Sequence, residues 1–167
     1  MLFLPDCSFD TVEQLTPAVL KKLGVGALVL DTDNTLTFDG SQVLSPSVAA
    51  WLQALAENGI PAMIVSNNGD ARVRPFAEKC GLPYIAKAKK PLRDTLGTVC
   101  AVLGAPSVAI AVVGDQLFTD IAYAHACGMK ALRVEPLGPD VPPFVKFKRI
   151  LERPFMRAVR KRRWRDE

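Results

Sequence analysis

Short apolar runs and amphipathic stripes alternate along this chain. Val25 to Leu30, Pro61 to Ser66 and Val108 to Val113 are Val-, Ile- and Leu-rich and lack polar alternation, the pattern of strands covered on both faces. Two briefer runs, Tyr84 to Ala86 and Lys130 to Val134, complete the strand set. Between them lie stripes at helical spacing. Thr16-Pro17 reads as an N-cap with proline at the first helical position, and Gly24 closes that helix. Ser45-Pro46 opens a helix with Val48, Trp51, Leu52, Leu55 and Ala56 on one face, ended by Asn58-Gly59. A helix over about Ala71 to Cys80 stops at Gly81, and one starting at Pro91 carries Leu92, Leu96, Cys100 and Leu103 before Gly104. A last helix runs from about Thr119 to Ala126 and ends at Gly128. The alternation predicts an α/β domain over residues 1–143: three layers, a parallel sheet of about five strands, and helices on both faces. Pro154 splits the remaining residues, 144–167, into two short helices.

Composition narrows the classes. At 167 residues and 49% hydrophobic, the chain can bury one core but not two comfortable ones. No apolar run approaches the roughly 20 residues of a membrane span, and the first residues lack the basic and apolar regions of a secretory signal. A cytoplasmic location is the expectation. Cys7, Cys80, Cys100 and Cys127 form no CxxC pair, and Cys80 and Cys100 fall on helix stripes as small core hydrophobes. His125 is the only histidine and reads as a helix-surface residue. One histidine rules out a site needing two imidazole ligands. The net charge of +4 is unevenly spread: residues 144–167 hold ten Lys/Arg against three Asp/Glu, a net of +7, and residues 1–143 carry −3.

The chemistry lies at the strand ends. Asp31 and Asp33 follow the first predicted strand, Ser66 the second, Lys89-Lys90 the third, and Asp115 with Asp120 the fourth. Ends of parallel strands share one edge of the sheet, where open α/β folds bind ligands. If the first and fourth strands are neighbours, Asp31 meets Asp115 at the switch point. Each residue alone has a plainer reading: turn aspartates, a Ser66 helix cap, a solvated lysine loop. Together, several carboxylates in one crevice call for a cation, and oxygen ligands without His or Cys point to Mg²⁺ rather than Zn²⁺. A carboxylate, a hydroxyl and a lysine around such an ion suit a phosphate ester. Asp31 would attack phosphorus, and Asp33 would move the proton.

The ordered set DxDNTL (Asp31 to Leu36), SNN (Ser66 to Asn68), KP (Lys90-Pro91) and GDQLFTD (Gly114 to Asp120) resembles the four motifs of the haloacid-dehalogenase-like (HAD) phosphatases. More narrowly it resembles their capless subclass IIIA, which includes phosphatidylglycerophosphate phosphatases. The resemblance implies a Rossmann-like domain, an aspartyl-phosphate intermediate and Mg²⁺. It places the nucleophile on Asp31 and the acid/base on Asp33, whose backbone carbonyl would also bind metal. It places phosphate binding on Ser66, Asn67 and Lys90, and the other metal ligands at Asp115 and Asp120. Lys90 is preferred over Lys89 because it directly precedes the proline.

Only 32 residues separate Asp33 from Ser66 and 23 separate Ser66 from Lys90, so no cap domain fits and the site should be open. An open site suits a phosphate presented on a surface, such as a lipid headgroup. The tail interleaves Phe147, Ile150, Leu151, Phe155 and Val159 with Lys and Arg. It has three readings, in order: an anionic membrane surface, docking on the domain, and nucleic acid. The leading function is a Mg²⁺-dependent phosphomonoesterase acting on phosphatidylglycerophosphate. The alternatives are a soluble phosphatase for sugar phosphates, nucleotides or nucleic-acid ends, and a non-catalytic phosphate-sensing module. The oligomeric state is not legible in the sequence.

Overall fold

The computed structural model describes residues 2–165. Six strands form one sheet: β1 (Cys7–Phe9), β2 (Ala27–Leu30), β3 (Ala62–Val65), β4 (Tyr84–Ile85), β5 (Ile110–Gly114) and β6 (Lys130–Val134). Their order is β1-β6-β5-β2-β3-β4, and every neighbouring pair is parallel. The predicted α/β architecture is therefore correct, with one strand more than about five. The extra strand, β1, is three residues long and pairs with β6 at the sheet edge, Ser8 opposite Arg133. Three residues are too few to show a periodicity, and their partner lies more than 120 positions away.

The inner strands are apolar throughout because each face has its own cover. Leu28, Leu30, Ile64, Ala111, Val113 and Leu132 join one cluster, while Ala27, Val29, Met63, Val65, Ile110, Val112 and Ala131 join the other. This is the period of two that sends successive side chains to opposite faces. Helices α1 (Pro17–Lys22), α2 (Pro46–Glu57) and α3 (Asp70–Cys80) cover the first face. Their starts are as expected: Thr16 and Ser45 accept from the amides of Val19 and Val48, and proline follows each cap. The Trp51 indole donates to the Leu15 carbonyl at 2.9 Å, so the largest ring of α2 is buried without an orphaned donor. Helices α4 (Leu96–Leu103) and α5 (Ala122–Ala126) cover the other face.

Two boundaries differ from the sequence reading. α4 begins at Leu96, not Pro91, and Leu92 is exposed in the intervening turn rather than part of the stripe. Lys87 and Lys89 have left-handed backbones (φ +49° and +58°), so the segment before Pro91 is shaped to deliver Lys90 rather than to start a helix. The helix predicted from Thr119 is α5 preceded by a π-turn, Leu117–Ile121. His125 is half-buried, its Nε2 2.7 Å from the Leu4 carbonyl oxygen, rather than a surface residue.

The tail folds back as α6 (Pro143–Glu152), a 3₁₀ turn (Arg153–Phe155) and α7 (Met156–Arg160). Beyond α7, Ser8 donates to the Arg162 carbonyl and the Trp164 amide to the Ser8 carbonyl, both at 2.9 Å. The Trp164 ring stacks on Phe9. No helix among the described residues is long and apolar enough to cross a membrane.

Candidate active site

From β2 the chain steps outward through β3 to β4, and from β5 it steps the other way through β6. The switch point is therefore between β2 and β5, where Leu30 pairs with Val113. The residues just past those partners, Asp31 and Asp115, emerge side by side. The Asp31 amide donates to the Val113 carbonyl at 2.9 Å, fixing its backbone to the neighbouring strand. Asp120 comes to the same spot from the π-turn, a distortion often found at functional sites. Gly114 makes room for it, because a Cβ there would collide with the Asp120 carboxylate. Carboxylate oxygens of Asp31, Asp115 and Asp120 lie within 4.8 Å of one another, and all three residues are buried.

Two cations answer these acids. The Lys90 ammonium donates to Asp31 Oδ1 at 2.9 Å and to Asp120 Oδ1 at 2.7 Å. Its backbone is held by Asn67, whose amide oxygen accepts from the Lys90 amide (2.6 Å) and whose Nδ2 donates to the Lys90 carbonyl (3.0 Å). Asn67, read from the sequence as a phosphate ligand, has its side-chain amide engaged in positioning the lysine. Lys90 is buried at the site and Lys89 is exposed. The second cation is Arg149, from α6. Its Nη2 donates to Asp115 Oδ2, its Nη1 to the Asp115 carbonyl (3.0 Å) and its Nε to Asp140 (2.9 Å). Glu152, one turn on, pairs with Arg149 and accepts from the Leu117 amide at 2.7 Å.

The proton balance follows from this count. Burial comes first in raising both Asp31, to about 7, and Asp115, to about 8. The Asp120 charge adds to both shifts, and Lys90 or Arg149 only partly opposes them. Burial also works to strip the proton from Lys90, but the Asp120 and Asp31 carboxylates outweigh it and hold the ammonium form. A charged lysine beside an acid with a raised pKa is consistent because Lys90 is shared: one positive charge cannot neutralise two carboxylates. Three clustered carboxylates thus face only two cations, Lys90 and Arg149. A divalent ion fits this donor set, all hard oxygens without His or Cys.

The two raised carboxyls have a measurable consequence for the metal-free protein. Between the usual carboxylate range and about pH 8, the folded state keeps protons on Asp31 and Asp115 that the unfolded chain has released. The stabilisation is complete below about pH 4 and is lost as pH rises through 7 and 8. Chemical denaturation in a chelator should show these two groups lowering stability by up to about 4 kcal/mol from pH 6 to pH 8.5. Asp31→Asn should remove part of that slope, and a slope unchanged in the variant would contradict the assignment.

Asp33 stands apart from this cluster. Its carboxylate accepts from the Gly40 amide (2.8 Å), from Asn68 Nδ2 (2.5 Å) and from Arg72 Nη2 (2.6 Å). Ser66 is buried at the end of β3, its Oγ accepting from the Asn68 amide at 3.2 Å. Asn34, left-handed at φ +57°, clamps the loop above through Asp140 and the Gly138 amide. Asp31, Asp33, Ser66, Asn67, Lys90 and Asp120 all line one open crevice of about 300 Å³, walled on one side by Phe144, Val145 and Lys148 of α6. Sequence reasoning missed Arg149, Arg72 and Asp140. Arg149 reaches Asp115 across 34 positions, Arg72 reaches Asp33 across 39 and Asp140 accepts from Asn34 across 106, and no local motif marks any of them.

A family model described as mitochondrial PGP phosphatase matches residues 1–137. The Bacillus subtilis (strain 168) protein YqeG, described as a probable phosphatase, is 31% identical over 160 residues, covering 96% of this chain and 93% of that protein. The chloroplastic phosphatidylglycerophosphate phosphatase 1 of Chlamydomonas reinhardtii is 30% identical over 155 residues, 86% of this chain but only 56% of that longer protein. Among solved structures, one from Streptomyces avermitilis MA-4680, described as a HAD family hydrolase, superposes with a TM-score of 0.51 at 19% identity. The match covers 66% of this chain and 67% of that one, and it is a likeness of fold.

Proposed function

The chain belongs to the PGP phosphatase family and is a HAD-type phosphoric monoester hydrolase, and we propose that it removes the terminal phosphate of phosphatidylglycerophosphate through an aspartyl-phosphate at Asp31, with Mg²⁺ as cofactor. The observation that carries this reading is the Asp31 carboxylate at the switch point, held by Lys90 and flanked by Asp115 and Asp120 in an open crevice. Asp31, Asp115 and Asp120 would hold the ion through their side chains, and Asp33 through its backbone carbonyl. The ion would supply positive charge against the phosphoryl oxygens.

The chain's own groups divide the remaining work. An oxygen of Asp31 forms a bond to phosphorus as the ester P–O bond breaks, and Asp33 gives its proton to the departing alkoxide oxygen. Water then attacks phosphorus, Asp33 takes its proton, and the acyl-phosphate bond breaks to release phosphate and restore Asp31. A carboxylate offers about four acceptor sites, and Gly40, Asn68 and Arg72 occupy three on Asp33, leaving one for that proton. Lys90 and the Ser66 hydroxyl stabilise the charge on the transferring group. Two features support the lipid substrate: the open crevice and the sequence similarity to a phosphatidylglycerophosphate phosphatase. Residues 144–167 would hold the protein at an anionic membrane.

A phosphatase panel tests the reading. With Mg²⁺ present, phosphatidylglycerophosphate in mixed micelles should be hydrolysed at least about tenfold faster than sugar phosphates or nucleotides, and a chelator should stop all turnover. Preference for a water-soluble monoester would favour the soluble-substrate alternative. Stable phosphate on Asp31 with no release would favour the sensing module.

A further inference from the structure

Helix α6 turns its polar side inward and its apolar side outward. The inward side carries Arg149, on Asp115 and Asp140, and Glu152, on the Leu117 amide. The outward side carries Phe144, Phe147, Ile150 and Leu151, which are 67, 56, 53 and 48% exposed. Their spacing places all four on one stripe of the helix. A helix packed on a domain in water is ordinarily built the other way round, and an exposed stripe of this kind marks a surface meant to be covered. Exposed Val141 extends it toward the crevice loop.

The charges around the stripe indicate what covers it. Lys146 and Lys148 flank it, Arg153 follows it, and the single acid of the helix, Glu152, is buried. A second copy of α6 laid against the first would bring these cations together. An anionic surface neutralises them, because each basic residue near the headgroups is attracted to the surface charge. The helix is also the wall of the crevice, through Phe144, Val145 and Lys148. The Arg160 to Arg165 cluster, the obvious membrane element by charge, is instead tied to the domain: Arg162 donates to the Pro5 carbonyl, Arg163 pairs with Asp10, and Trp164 stacks on Phe9.

We propose that α6, and not the terminal basic cluster, is the element that docks the protein on an anionic bilayer. The stripe from Phe144 to Leu151 enters the boundary between headgroups and acyl chains, and Lys146 and Lys148 meet the anionic headgroups. The crevice then opens at the lipid surface. That last point rests on the phosphatase reading; the docking itself does not.

The test uses the full chain and the double variant Phe147→Glu/Ile150→Glu, whose residues are exposed and line no part of the crevice. Sedimentation is measured with phosphatidylcholine vesicles, with and without phosphatidylglycerol. The wild type should bind the anionic vesicles, and the variant should partition at least about tenfold less. Both should have the same melting temperature and the same rate on p-nitrophenyl phosphate. Equal partitioning of the two proteins, or no binding by the wild type, overturns the proposal. So does a wild-type dimer that the variant converts to monomers, which would make a second copy the occupant. Absence of p-nitrophenyl phosphate hydrolysis in both counts against the phosphatase reading alone, and the vesicle measurement still decides docking.

Discussion

Asp31→Asn should eliminate phosphomonoester hydrolysis, by about 10⁴-fold or more, while leaving the fold at least as stable in the absence of divalent ions. The activity loss follows from removing the attacking oxygen, for which a neutral amide is no substitute. The stability expectation comes from different physics. Burial and the Asp120 charge already push Asp31 up to about 7, so the folded protein bears a cost for its carboxylate near neutral pH. An amide of the same shape can still accept from Lys90 and relieves the repulsion, a gain of up to about 1–2 kcal/mol. Steady-state turnover on p-nitrophenyl phosphate and thermal melts in a chelator check both halves. Turnover within tenfold of the wild type would exclude Asp31 as the nucleophile.

The second large effect should come from Lys90→Met. The substitution keeps an unbranched side chain of similar length but leaves Asp31 and Asp120, both buried, without the cation that bridges them. Removing one partner from a buried pair costs about 3–5 kcal/mol because the other charge stays behind. Urea midpoints in a chelator should fall accordingly and recover in part with millimolar Mg²⁺, which would supply the missing positive charge. Activity should fall by about 10²–10³-fold even then, since the transferring phosphoryl group loses its lysine. Lys89→Met is the control. Lys89 is exposed, and its replacement should change stability by less than about 0.5 kcal/mol. An unchanged urea midpoint in Lys90→Met would contradict the ion-pair geometry.

What the sequence could reveal depended on how local each signal was. The strand runs at Ala27–Leu30 and Ile110–Gly114 are apolar on both faces, so their burial could be read directly, and the carboxylates after them followed. Caps at Thr16 and Ser45 are set by the residue and its next three neighbours and were equally plain. β1 was invisible because a three-residue edge strand owes its existence to β6 and to the returning tail. Pro91 misled because proline at a helix start and proline after a functional lysine look alike in one dimension. Arg149 was one basic residue among ten, and only the fold singles it out for Asp115.

The placement of Arg149 bears on how the protein is made. Asp115, fully buried, receives its guanidinium from α6, and the edge strand β1 is bonded to Arg162 and Trp164. A ribosome delivers the chain from the other end, and segments tend to fold as they emerge. The residues that supply the crevice carboxylates are therefore synthesised before the cation from α6 exists, and β1 has no outer neighbour until synthesis has passed Trp164. The guanidinium that answers Asp115 comes from α6, so completion of the site is a late event in the making of each molecule.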